Sequence, residues 1–279
     1  MIRTPLRYPG GKAKYYKLFE PYIKSQKFST FVEPFVGGGS VSINTALEYE
    51  QVKYILNDLN FGVYSFWKVL SDYDYSDDFI LDNIPLVKYI KDLKEKFKDN
   101  GKDLYELARH FESKDLLVSA GKFFILNRVT FSGTAESGGY SENSFKNRFT
   151  DSSIQRLADC VRLCVHRDFE VYNMNAVELL SKYNNEDVLV YLDPPYYTAK
   201  KLYGYRGDLH QQFDHEELKR FLRNKAKFKW FMSYDDCEYV RKAYTGYNLK
   251  EVSLQYGMDN SGKNNCKIGK EVIISNFVV

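Results

Sequence analysis

The residues best suited to chemistry in this chain are Asp193-Pro194-Pro195-Tyr196, directly after the apolar run Val188-Leu189-Val190-Tyr191-Leu192. A short apolar run bounded by polar residues predicts a buried central strand of a parallel sheet. Neither proline can donate to a ladder, so the strand stops at Asp193. In an open α/β sheet, ligands sit beyond the carboxyl ends of the strands. A carboxylate, a stiff turn and an aromatic ring therefore meet at the mouth of a cleft. The set suits a flat ring that bears an amino group. Asp193 accepts one hydrogen bond from that group and the Pro194 carbonyl accepts a second, its direction held by both prolines, while Tyr196 stacks on the ring face. An isolated Asp-Pro-Pro fits an ordinary strand end equally well, so the elements around it must decide.

A second cluster lies nearer the N-terminus. Phe31 to Pro34 reads as a short strand, Phe35-Val36-Gly37-Gly38-Gly39-Ser40 as a glycine-rich turn, and Val41 to about Glu50 as a helix. Strand, glycine turn and helix form the frame of a nucleotide-binding βαβ unit. Ser42 occupies the place of the third glycine of the G-x-G-x-x-G pattern, no Lys-Ser/Thr pair follows, and Glu33 would repel phosphates. Those details favour an adenosine ligand without a pyrophosphate. A second strand, Lys53 to Leu56, ends at Asn57-Asp58, and an acid about 20 residues beyond the first glycine is placed for ribose hydroxyls. The opening Thr4-Pro5-Leu6-Arg7-Tyr8-Pro9-Gly10-Gly11-Lys12 is rich in turn formers and leads into a helix through about Ile23. Gly10 and Gly11 let backbone approach a ligand, and Lys12 adds a positive charge at a helix start. A tight turn with a solvated lysine is the plain alternative.

With 279 residues the chain can hold one large domain, or one domain with a substantial insertion. A formal charge of +3 permits a nucleic-acid partner without demanding one. The 24 Tyr supply stacking surfaces as well as core. No apolar segment approaches membrane-spanning length and no signal-peptide pattern opens the chain. Cys160, Cys164, Cys237 and Cys266 lack CxxC spacing, which points to a reduced, cytoplasmic protein. Cys160 and Cys164 share a helix face, as small core residues do. The four His are scattered, so no metal constellation is expected.

Between Asn60 and about His166 the strand–helix alternation breaks down. Phe61 to Tyr73 reads as helix, and Leu86 to Phe111 as a charged helical stretch with one solvated face. A hundred-odd residues are too many for a loop and predict an inserted helical subdomain. Its later part interleaves basic and amide side chains with aromatics and glycines: Gly121 to Arg128, Phe131-Ser132-Gly133, Ser137 to Tyr140, and Phe145 to Phe149. That mixture suits phosphate contact, base-edge readout and stacking at a duplex; a surface loop with chance charges is the alternative. Phe169 to Asn173 resumes the sheet, followed by helices at Val177–Tyr183, His215–Lys225 and Val240–Tyr244 and a strand at Phe228–Ser233. The segment from Tyr197 to Phe213 is placed to close over a bound base. Tyr247–Tyr256 and Glu271–Val279 read as a closing antiparallel pair, with Gly257 to Lys270 as the loop between them.

Taken in order, Pro9-Gly10-Gly11-Lys12, Phe31 to Ser40, Asn57-Asp58 and Asp193-Pro194-Pro195-Tyr196 resemble the motifs of the Dam-type (D12 class) site-specific DNA adenine-N6 methyltransferases. The resemblance extends to Ser233-Tyr234-Asp235 and Glu271-Val272-Ile273-Ile274-Ser275-Asn276. It implies an α/β fold: a Rossmann-like S-adenosyl-methionine-dependent methyltransferase sheet with an inserted helical DNA-recognition subdomain between its second and third strands. Residues 1–60 and 166–279 would form the catalytic domain and 61–165 the target-recognition subdomain. The implied cofactor is S-adenosyl-L-methionine, leaving as S-adenosyl-L-homocysteine, without a metal. Asp193, Pro194, Pro195 and Tyr196 would be catalytic. Tyr8, Gly11, Lys12, Glu33, Phe35, Gly37, Gly39, Asp58, Asn175 and Asp193 would bind the cofactor. Lys122, Asn127, Arg128, Ser132, Lys146 and Arg148 would bind DNA. The partner is double-stranded DNA, with a cognate restriction endonuclease as a further candidate, and monomeric action is expected.

Two departures stand out. After Leu126-Asn127-Arg128 the family's Tyr-Asn-Gly and following Arg are replaced by Phe131-Ser132-Gly133 and Glu136, so no recognition sequence carries over. Where the family usually has Asp-Phe, this chain has Asn175-Ala176. The absence of a Pro-Cys dipeptide argues against ring-carbon methylation of cytosine. Methylation of the exocyclic cytosine nitrogen usually replaces the first Asp by Ser, so Asp193 favours adenine. An RNA adenine methyltransferase would share the chemistry, but the long insertion favours duplex DNA. A dehydrogenase predicts a complete glycine fingerprint. A DNA-binding protein without activity requires a failed cofactor site.

Overall fold

The computed structural model describes residues 4–8, 10–73, 83–198, 212–256 and 267–279. Strands β1 (Thr30–Glu33), β2 (Lys53–Asn57), β3 (Asp168–Tyr172), β4 (Val188–Leu192) and β5 (Lys229–Asp235) run parallel. Beside β5, β7 (Lys267–Ser275) pairs antiparallel with both β5 and β6 (Asn248–Tyr256). The seven strands form one sheet in the order β3-β2-β1-β4-β5-β7-β6. The closing antiparallel pair is as expected, except that Lys267 to Lys270 belong to β7 rather than to the connecting loop. The remainder of that loop lies outside the described residues.

Alternation along the strands divides the core in two. Phe31, Tyr54, Leu56, Leu189, Tyr191 and Phe231 join one cluster, while Val32, Ile55, Val190, Leu192, Trp230 and Met232 join the other. Strands buried on both faces in this way must be apolar throughout, which is why β4 reads as an unbroken run. Helices α1 (Tyr16–Lys24) and α2 (Ser40–Glu48) cover the first face. On the second face lie α9 (Ala176–Lys182), α10 (His215–Asn224) and α11 (Glu238–Ala243), through residues such as Leu180, Leu218 and Val240.

Among the described residues, six α-helices fall between β2 and β3: α3 (Phe61–Ser71), α4 (Pro85–Lys96), α5 (Gly101–His110), α6 (Leu116–Val129), α7 (Glu142–Arg148) and α8 (Asp151–Val165). The expected helical stretch from Leu86 to Phe111 is broken in two, with Asn100 capping α5 by accepting from the Asp103 amide. α6 is the centre of this group and is buried from Ser119 to Gly121 and from Phe123 to Val129. Its apolar side chains share one continuous core with α3, α8 and the first sheet face, so the insertion is packed onto the sheet rather than tethered beside it. Cys160 and Cys164 lie buried in α8, as their spacing predicts.

Candidate active site

The sheet order reverses between β1 and β4, and the ends of β1, β2 and β4 open onto a common crevice there. Two φ values above zero shape the turn after β1, +42° at Gly37 and +64° at Gly39, where side chains are disfavoured. Space is denied as well. A Cβ on Gly37 would meet the Tyr8 ring at 2.7 Å, and one on Gly39 would meet Trp67 at 2.4 Å. Trp67 also donates its indole N–H to the Gly37 carbonyl at 2.9 Å, so an aromatic residue of the insertion holds the nucleotide-type turn. Asp58 holds the same turn from the other side, accepting from the Gly37 amide and from the Asn60 amide, each at 2.9 Å. The neighbouring Asn57 ties the end of β1 to the start of α9, donating to the carbonyls of Pro34 and Met174.

Ser42, which breaks the glycine fingerprint, has a positive reason to be serine. Its amide donates to Glu33 at 3.0 Å and its hydroxyl donates to the same carboxyl oxygen. Glu33 is buried, and burial pushes its carboxyl up to about 8 against the bonds from Ser42, with Asp193 and Asp58 adding repulsion.

At the end of β4, Asp193 is held from two directions. Lys12 donates to both carboxylate oxygens at 3.0 Å, and the Ser233 hydroxyl of β5 donates to one of them at 2.9 Å. Tyr191, beneath, lies 2.8 Å from that hydroxyl. Lys12 is only 3% exposed and also donates to the Gly10 carbonyl and the Tyr196 hydroxyl, each at 2.9 Å, so the solvated-lysine alternative is excluded. Tyr196 in turn donates to Glu271 of β7 at 2.6 Å. Asp235, at the end of β5, accepts from the amides of Tyr197 and Thr198 and thereby fixes the chain that leaves Tyr196. Pro194 is buried beside these groups.

One cleft joins the two clusters. Tyr8, Gly11, Lys12, Glu33, Phe35, Gly37, Gly39, Asp58, Asn175 and Asp193 all line it, together with Pro195. Phe213 meets Phe35 edge-on at 5.4 Å across its rim. Asn175 is a helix cap, its side-chain oxygen accepting from the amides of Val177 and Glu178. Pro9 and most of the expected closing segment, 199–211, lie outside the described residues. Tyr197 is exposed and stacks on Tyr239 at 3.9 Å. Among the described residues, no group of three His, Cys, Asp or Glu is arranged to hold a metal.

The DNA candidates separate. Asn127 is fully buried and joins the N-terminal segment to the insertion: it accepts from the Arg7 amide and donates to the carbonyls of Arg7 and Gly133. Arg128 is 2% exposed and lies over the Phe124 ring. Burial lowers its guanidinium to about 9, helped by Arg156, Arg7 and Arg148. Both side chains are enclosed within the protein. The reason is that α6 is buried on nearly every side. Lys122 of this helix is partly exposed and donates to the Phe111 carbonyl. Lys146 is exposed and paired with Glu142 at 3.0 Å, Arg148 is half-buried, and the Ser132 side chain lies outside the described residues. Trp67, Ser233 and Tyr191 were not singled out by chemistry in the sequence; their roles depend on contacts across the sheet.

Sheet order, glycine turn and the Asp-Pro-Pro-Tyr strand end at the switch point define a Rossmann-like methyltransferase. The sequence profile of the D12 class N6 adenine-specific DNA methyltransferases matches residues 8–258, and the chain belongs to that family. Its chemistry is accordingly methyl transfer to adenine in DNA. Among similar proteins, the Type II methyltransferase M.CviBI of Paramecium bursaria Chlorella virus NC1A is 23% identical, over 100% of this chain and 99% of that one. The Type II methyltransferase M.MjaIII of Methanocaldococcus jannaschii is 24% identical over 99% of each. A DNA adenine methylase of Haemophilus influenzae is 25% identical, over 97% of this chain and 92% of the other.

Proposed function

We propose that the chain methylates the exocyclic nitrogen of an adenine flipped out of duplex DNA, drawing on S-adenosyl-L-methionine bound in the cleft. The observation that carries this reading is the meeting of Asp193 with the glycine-turn cavity in one cleft. The donor set suits the cofactor. Asp58, Asp214 and Glu217 line the cleft, Glu33 there keeps its proton near neutral pH, and Lys12, the one cation among the described lining residues, is neutralised by Asp193. Such a lining accepts a cationic nucleoside and repels a phosphate chain. Tyr8, Phe35 and the turn at Gly37 and Gly39 would hold the nucleoside, with Asp58 toward the ribose. When bound, S-adenosyl-L-methionine supplies an electrophilic methyl group, and S-adenosyl-L-homocysteine remains.

The chain's own residues prepare the nucleophile. An adenine amino nitrogen is a poor one because its lone pair is delocalised into the ring. Asp193 and the Pro194 carbonyl each accept one of its protons, which favours a pyramidal nitrogen with the lone pair free. Positioning and electrostatics then provide most of the acceleration. The proton leaves toward Asp193 only after attack, so a strong base is not required. Tyr196 would stack on the adenine, with its ring held by the hydroxyl contacts to Lys12 and Glu271. The attacked nitrogen lies inside a duplex, so the base must leave the helix to reach Asp193.

In this reading residues 1–60 and 166–279 would carry the catalysis and 61–165 would read the target, with Lys122, Lys146 and Arg148 as candidate DNA contacts. A monomer in the cytoplasm, with or without a cognate endonuclease, fits this account. The test is Asp193→Asn, assayed for methyl transfer to duplex DNA. Loss of transfer with cofactor still bound supports the reading; normal transfer overturns it.

A further inference from the structure

Lys12 occupies the hydrogen-bonding positions on Asp193 that an incoming amino group needs. At 3% exposure, the ammonium stays inside the protein on leaving Asp193 only if another acceptor receives it. Glu271 is that acceptor. It is 1% exposed, sits on β7 directly opposite Asp235 of β5, and places one carboxyl oxygen 3.9 Å from the Lys12 nitrogen. Its other oxygen is buried without a partner. Unpaired buried acceptors are rare because desolvation is not repaid. A shift of about 1 Å would bring the ammonium within charge-assisted hydrogen-bond distance of Glu271.

We infer that Glu271 is a positioning residue that receives the Lys12 ammonium when the target amino group takes its place on Asp193. The inference rests on the reading of Asp193 given above. Tyr196 links the two states, because its hydroxyl accepts from Lys12 and donates to Glu271. The exchange therefore also holds the ring beside the base. Lys12 from the N-terminal turn, Asp193 and Tyr196 from the end of β4, and Asp235 from β5 all face Glu271. Burial raises its carboxyl to about 7, Lys12 opposes that, and Asp193 and Asp235 reinforce it. Only ionised Glu271 can take the ammonium, so the exchange closes in acid.

The experiment is the pH profile of methyl transfer to duplex DNA for the intact chain, Glu271→Gln and Glu271→Asp, with cofactor and duplex affinities measured alongside. For the unaltered chain, kcat should fall roughly tenfold per pH unit below about pH 7. Glu271→Gln should lower the plateau on the order of tenfold and remove that limb, with both affinities within about twofold. Glu271→Asp should restore the limb and part of the rate. A Gln variant with unaltered rate and limb overturns the inference. So does one whose rate loss is matched by lost cofactor binding and early melting. Calorimetry on the unaltered chain gives an independent readout. At pH 7, binding duplex with S-adenosyl-L-homocysteine present should release about half a proton, and no release overturns the inference. An active Asp193→Asn would overturn the Asp193 reading itself, whereas inactive Asp193→Asn with unaltered Glu271→Gln overturns the present inference alone.

Discussion

The Lys12 ammonium lies 3.0 Å from both carboxylate oxygens of Asp193, across 181 residues of sequence. The pair joins the N-terminal turn to the catalytic strand end and makes Asp193→Ala more than a catalytic change. Removing one partner of a buried pair leaves an uncompensated charge, at roughly 3 kcal/mol. The variant should lose transfer and also melt lower. Asp193→Asn keeps the shape and should lose transfer by on the order of a hundredfold or more, with a smaller loss of stability. Transfer assays and melting curves on both variants check this; equal melting of all three proteins would contradict the coupling.

Gly39→Ala combines a left-handed φ with a Cβ 2.4 Å from Trp67. The expected loss is roughly 3 kcal/mol, or a melting temperature lower by about 5 °C. Cofactor affinity should fall with it, because the same turn lines the cleft. A variant that melts normally would show that the turn has room the structure does not display.

Asn127→Ala distinguishes a buried clamp from a DNA contact. It leaves the Arg7 amide and the carbonyls of Arg7 and Gly133 without their partner. Stability should drop by roughly 3 kcal/mol. A DNA contact would instead leave melting unchanged and weaken duplex binding.

Much of the fold was legible from patterning. The run Val188 to Leu192, the glycine turn and Asp58 gave the parallel half-sheet and the cleft, because each is a local signal repeated at the right spacing. The burial of Asn127 and Arg128 was not legible, because amide and basic residues ordinarily face solvent, whereas α6 is buried along most of its length. The bond between Lys12 and Asp193 and the seat of Trp67 on Gly37 are not periodic features of any segment. They arise only when distant elements pack together.

Stability should respond to the buried carboxyls. Glu33 has its carboxyl raised from 4.5 to about 8, so within that window the folded chain retains a proton that the unfolded chain gives up. Its contribution therefore falls as pH rises from about 4.5 to about 8, at up to about 1.4 kcal/mol per unit. Glu33→Gln should flatten that part of the melting-temperature profile between pH 5.5 and 8.5. Identical slopes for the two proteins would contradict the placement of Glu33.

Incubation with labelled S-adenosyl-L-methionine and unmethylated genomic DNA, followed by single-molecule mapping of modified bases, addresses the central claim most directly. Methyl-adenine confined to one short sequence context is the predicted result. Label on the cytosine amino group, label on RNA alone, or no transfer despite bound cofactor would contradict it.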